Sequence, residues 1–112
     1  MRRPEEFRWV LSGGRSRSAR GIVVHVRERD GGGQPRLGLV VPKAVGPAVV
    51  RNRMKRRLRA IWRALAPAAA IDCVIVVRPE AAKLTYRELA ESVGACLRRA
   101  AQRPRTSVGV AR

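Results

Sequence analysis

The chain is poor in the side chains that carry out chemistry. It has one histidine, His25, and eight carboxylates in 112 residues, against 25 lysines and arginines. A protein that hydrolyses a substrate unaided needs a nucleophile with its base, a pair of placed carboxylates, or metal ligands. His25 stands inside the β-branched stretch GIVVHV, where a lone histidine reads as a structural or surface residue and not as a general base. The two acidic pairs close in sequence have local explanations: Glu5 and Glu6 favour a helix N-terminus, and Glu28 and Asp30 sit in a connection between strands. No catalytic residue and no metal ligand is therefore expected on the protein, and the inventory argues against a protein-only nuclease.

Other scarcities narrow the class further. The two cysteines, Cys73 and Cys96, form no C-x-x-C pair and lie in apolar contexts, which predicts buried thiols in a reducing cytoplasm. Gly13-Gly14 and Gly31 to Gly33 lack the Lys-Ser/Thr ending of a phosphate-binding loop. There are four aromatic residues, and no apolar run approaches the about 20 residues that span a membrane. MRRPEEFRWVL has charge but no apolar segment after it, so no export signal is expected. The expected location is the cytoplasm, with no membrane association.

What the chain does have is positive charge. Its formal net charge is +17 and its pI about 11.9, far beyond what solubility requires, and this implies a polyanionic partner. Of the 25 basic residues, 22 are arginine, whose planar fork pairs with phosphate oxygens and stacks on bases better than an ammonium does. Codon bias in a GC-rich genome accounts for arginine over lysine, but not for the size of the charge. Nucleic acid is the expected partner.

The length fits one domain, over residues 1–101, followed by a basic tail, 102–112, that has no periodicity and reads as disordered. PEEFRWVL places Phe7, Val10 and Leu11 on one face of a short helix. GGRSRSARG reads as a loop that extends into a first strand. GIVVHV and RLGLVV then read as adjacent antiparallel strands joined by the breaker RERDGGGQP. From Gly46-Pro47 onward, Val50, Met54, Leu58, Ile61 and Leu65 recur at helical steps and form one apolar stripe. DCVIVV reads as a central strand. In LTYRELAESVGACLRRA, Thr85 and Glu88 make a capping box, Leu84 can staple to Leu89, and a core stripe runs through Leu89, Val93, Cys96, Leu97 and Ala100. The order predicts an α+β sandwich with helices on a small mixed sheet.

VVRNRMKRRLRAIWRAL, residues 49–65, contains no acid. A basic run alone fits a solvated helix face, a targeting signal or a ribosomal protein. The stripe beneath it changes its meaning, because a helix held on a core presents its charges as a fixed array. At about 100° per residue, Asn52, Arg53, Lys55, Arg56, Arg59 and Arg63 fall outside the stripe, and Arg51 falls at its edge.

GLVVPKAVGPAVVRNRMKRRLRAIWR resembles the central signature of the bacterial ribonuclease P protein component: a strand, a Lys before an apolar-Gly step, then A-V-x-R-N-R-x-K-R-x-x-R. DCVIVVRPEAAKLTYRELAESV and, upstream, EEFRWVLSGGRS with GIVVHV resemble the family's flanking elements, so the likeness covers roughly residues 5–101. It implies a single-domain αβββαβα sandwich like domain 2 of ribosomal protein S5, with a left-handed crossover through the basic helix, an exception to the usual hand. It also implies that the partner RNA is the catalyst. That RNA, with Mg2+ bound mainly to itself, removes the 5′ leader of precursor tRNA while the protein binds the RNA and the leader; no protein partner is required.

Carried over residue by residue, Lys43, Arg51, Asn52, Arg53, Lys55, Arg56, Arg59 and Arg63 form the RNA-binding set, and Phe7, Leu11 and His25 fall in the leader cleft. Leu11 and His25 stand where aromatics are common, which predicts weaker base stacking there. Pro47 replaces the usual Asn beside Gly46, and the segment before the first helix is short. The alternative is a structural protein of ribosomal RNA with no processing role, which would not stimulate the catalytic RNA.

Overall fold

The strand Ile71–Val77 is apolar along its whole length apart from Asp72, and nearly all of it is buried, so it takes the centre of the sheet. In a computed structural model, which describes residues 3–67 and 70–101, the elements are α1 (Pro4–Gly13), β1 (Arg15–Ala19), β2 (Ile22–Glu28), β3 (Arg36–Val40), α2 (Ala48–Leu65), β4 (Ile71–Val77) and α3 (Tyr86–Ala101). Single 3-10 turns cover Lys43–Val45 and Pro79–Lys83. The expected α+β order αβββαβα is the order found; the basic tail, 102–112, lies outside the described residues.

The strand order is β1-β2-β4-β3, with β4 antiparallel to β2 and parallel to β3. The expectation that GIVVHV and RLGLVV pair with each other is therefore wrong. They run antiparallel, but β4 is inserted between them. The connection 29–35 crosses two strand spacings, about 10 Å, and is tied down on the way. The Arg29 amide donates to Ala70 O at 2.9 Å, and the Arg29 side chain donates to Ile71 O, Asp72 and Gln34 O. β3 and β4, being parallel, need a crossover, and α2 provides it.

Alternation along the strands divides the sheet into two faces. Ile22, Val24 and Val26 of β2 and Cys73, Ile75 and Val77 of β4 meet Met54, Leu58 and Ile61 of α2 and the full predicted stripe of α3 in one core. Val50 and Leu65, at the ends of the α2 stripe, pack against its rim. The α3 cap forms as expected: the Glu88 amide donates to Thr85 Oγ1 at 3.1 Å and the Thr85 amide to Glu88 Oε1 at 2.9 Å. That backbone bond from Thr85 holds the Glu88 carboxyl below its ordinary pKa.

The opposite face is covered in part by α1, which packs against β2 and β4. Val10 and Val74 are fully buried yet lie outside the main core cluster, as a second, small apolar contact requires. The predicted α1 stripe is only partly used: Val10 is buried, Phe7 is half-buried, and Leu11 is 43% exposed because α1 leaves much of this face open. Asp72, fully buried on the same face, is held by Arg36 through Nε at 2.8 Å and Nη2 at 2.5 Å, and by Arg29. Burial opposes its ionisation, but these charged hydrogen bonds outweigh burial and hold the carboxyl below the ordinary aspartate range. Arg36 Nη1 also reaches Glu6 Oε2 at 2.7 Å, which joins α1 to the sheet.

Candidate nucleic-acid interface

Three buried side chains, Met54, Leu58 and Ile61, fix the rotation of α2 about its axis, and so fix where its charges point. Asn52, Arg56, Arg59 and Arg63 are all exposed and follow one another at steps of four, three and four, a row along the outward side about 16 Å long at helical rise. Arg53 is exposed on one flank; Lys55 and Arg57 are half-buried on the borders. Arg51 is also half-buried, and its Nε donates to Gly46 O at 3.1 Å, so it braces the start of the helix as its place at the stripe's edge implies. Lys43 is exposed in the 3-10 turn before α2 and extends the cationic surface.

Acids do not neutralise this surface. The ion pairs among the described residues join Arg20, Arg29, Arg36 and Arg87 to acids, and none involves α2. A row of exposed arginines on a rigid helix with no carboxylate opposite suits the phosphate backbone of a folded RNA.

A second feature lies on the open part of the other sheet face. Ser16, Arg17 and Ser18 of β1, Val23 and His25 of β2, Val76 of β4 and the following Arg78 line a groove of about 610 Å³. His25 is half-buried, and burial lowers its pKa below the ordinary 6.5, so at neutral pH it presents an uncharged imidazole. Phe7 and Leu11 sit on α1 and do not line this groove, so the three residues expected in one cleft are not brought together in a single lining. Arg78, Ser16 and Ser18 were not singled out by sequence reasoning. For the two serines the signal is pairing: Ser16 stands opposite His25 and Ser18 opposite Val23; Arg78 directly follows the last residue of β4.

Against this geometry, a family model described as Ribonuclease P matches residues 1–101. The chain belongs to the ribonuclease P protein family. The ribonuclease P protein component of Beutenbergia cavernae is 42% identical over 99 residues, covering 87% of this chain and 83% of that relative. That of Rhodococcus opacus is 40% identical over 107 residues, with 88% and 86% covered. Among solved structures, the RNase P protein of Staphylococcus aureus superposes with a TM-score of 0.83 at 26% identity, covering 90% of this chain and 94% of that one. In this ribonuclease P protein the cationic row and the groove thus lie on opposite faces of the sheet, one on a helix over the main core and the other on the strands themselves.

Proposed function

We propose that the chain is the RNA-binding subunit of ribonuclease P in tRNA processing, and that it meets two RNAs on two faces. In this reading Lys43, Arg51, Asn52, Arg53, Lys55, Arg56, Arg59 and Arg63 meet the catalytic RNA. The groove at His25 and Arg78, with Phe7 and Leu11 on the neighbouring helix, takes the single-stranded 5′ leader of precursor tRNA. The observation that carries the first half is the uncompensated arginine row on a core-locked helix. The second half is supported by an open, partly apolar groove with two cations in its lining, Arg17 and Arg78, which suits a flexible strand whose bases and phosphates need different contacts.

Hydrolysis is assigned to the RNA. Among the described residues no three histidine, cysteine or acidic side chains converge as metal ligands. Both oxygens of buried Asp72 are taken by arginines. In this reading Mg2+ is held by the RNA subunit. The protein contributes affinity: cations lower the repulsion between RNA subunit and substrate, and the groove adds contacts that only a leader-bearing substrate can make. No described helix is long and apolar enough to cross a membrane. The reading places the complex in the cytoplasm, with no further protein required.

Reconstitution tests this directly. Protein alone is expected to leave precursor tRNA intact, and adding the cognate catalytic RNA to restore 5′ cleavage at low magnesium. Cleavage by protein alone that survives nuclease treatment contradicts the assignment, as does an RNA whose activity the protein leaves unchanged.

A further inference from the structure

Two arginines tie α1 to the sheet beside its small apolar contact. Val10 is its one buried residue, while Trp9 is 36% and Leu11 43% exposed. A helix of ten residues with so little burial does not hold its place by itself. At its N-terminal end Arg36 of β3 bridges buried Asp72 and Glu6 Oε2. At its C-terminal end Arg27 of β2 donates from Nη1 to Trp9 O at 2.7 Å, and the guanidinium carbon lies 4.1 Å from the centroid of the Trp9 ring. Gly13 makes room for this contact, because a Cβ there would stand 2.1 Å from Arg27 Nη1. Gly14 lets the helix end rest on β2, since a Cβ there would stand 2.5 Å from Val26 O.

We propose that Arg27 and Arg36 are positioning residues for leader binding: they clamp the two ends of α1 to the sheet and so fix Phe7 and Leu11 relative to the groove of His25 and Arg78. Neither arginine needs to touch RNA in this role. Arg36 is engaged by two carboxylates, and Arg27 by a carbonyl and an aromatic ring. The inference rests on the leader reading above, and the test separates the two.

The variants are Arg27→Ala, Glu6→Gln and the conservative Arg27→Lys, each measured as free protein and in the complex reconstituted with catalytic RNA. In Arg27→Ala and Glu6→Gln, amide exchange across residues 4–13 is expected to quicken about fivefold, the effect of losing one charge-assisted contact, with residues 48–65 and 86–101 unchanged. In the complex, the ratio of affinities for a leader-bearing and a leaderless precursor should fall by a similar factor. Affinity for the catalytic RNA should hold, and Arg27→Lys should recover most of the ratio. Unchanged exchange, or an unchanged ratio, overturns the positioning role. So does a salt slope for leader binding that drops by about one unit in Arg27→Ala, since that marks a direct phosphate contact. A wild-type ratio near one instead contradicts the leader reading itself.

Discussion

Replacing Arg56 and Arg59 together by Ala removes two of the exposed cations at the centre of the α2 row. Neither is paired with an acid among the described residues, so each is free to displace a counterion from RNA. Each phosphate contact contributes about 0.7 to 0.9 to the slope of log affinity against log salt, so losing two contacts should flatten that slope by about 1.4 to 1.8 units. Between 50 and 200 mM salt, such a change makes the loss of affinity for the catalytic RNA smaller by about tenfold. Folding should be little affected, because both sites are exposed helix positions and Ala is the best helix former, leaving stability within about 0.5 kcal/mol. The assay is filter binding of catalytic RNA across a salt series. Arg87→Ala serves as the control: Arg87 is 90% exposed on α3 but stands 3.7 Å from Glu91, and its removal should leave the slope unchanged. A slope that stays the same in the double variant while binding persists would refute the argument, and the row would then be a solvated helix face.

Three stability predictions follow from the core and its attachments. Leu58→Ala removes a fully buried side chain between α2 and the sheet, and should cost about 2 to 5 kcal/mol in urea denaturation. Asp72→Asn breaks a buried charge cluster and should cost about 3 kcal/mol at pH 7, the lower end of such losses because the Arg36 side chain keeps 39% of its exposure. The depressed carboxyl also sets a pH dependence: its stabilisation is complete above the unfolded-state pKa of about 3.9 and is lost as pH falls through the lower folded value, so wild type should lose stability below about pH 4 along a steeper profile than Asp72→Asn. Ala66 ends α2 in the left-handed region at φ 45°, so Ala66→Gly should raise stability by about 0.5 to 1 kcal/mol, read as a higher melting temperature.

Local periodicity carried most of the fold. The α2 and α3 stripes, the Thr85–Glu88 cap and the buried character of β4 are each written within a few helical turns or one strand, and each is found in place. Strand neighbours were not legible in the same way. β4 enters between β2 and β3 from more than 30 residues downstream of β3, and only its near-continuous apolar run hinted that it would take the centre. The α2 row was legible because one helix carries it. The groove was not, since its lining comes from three strands and a turn. The arginine clamps were hidden most deeply: in a chain this basic, Arg27 and Arg36 look like any other surface charge until the fold sets Trp9, Glu6 and Asp72 against them.

The central claim is that two RNAs occupy opposite faces of one sheet. A photo-reactive amino acid placed at the position of Arg59 or of His25, in the complex with catalytic RNA and a precursor labelled in its leader, tests it most directly. Position 59 is expected to cross-link to the catalytic RNA and not to the leader, and position 25 to the leader. Cross-links from position 59 to the leader, or from position 25 to the catalytic RNA alone, would contradict the account.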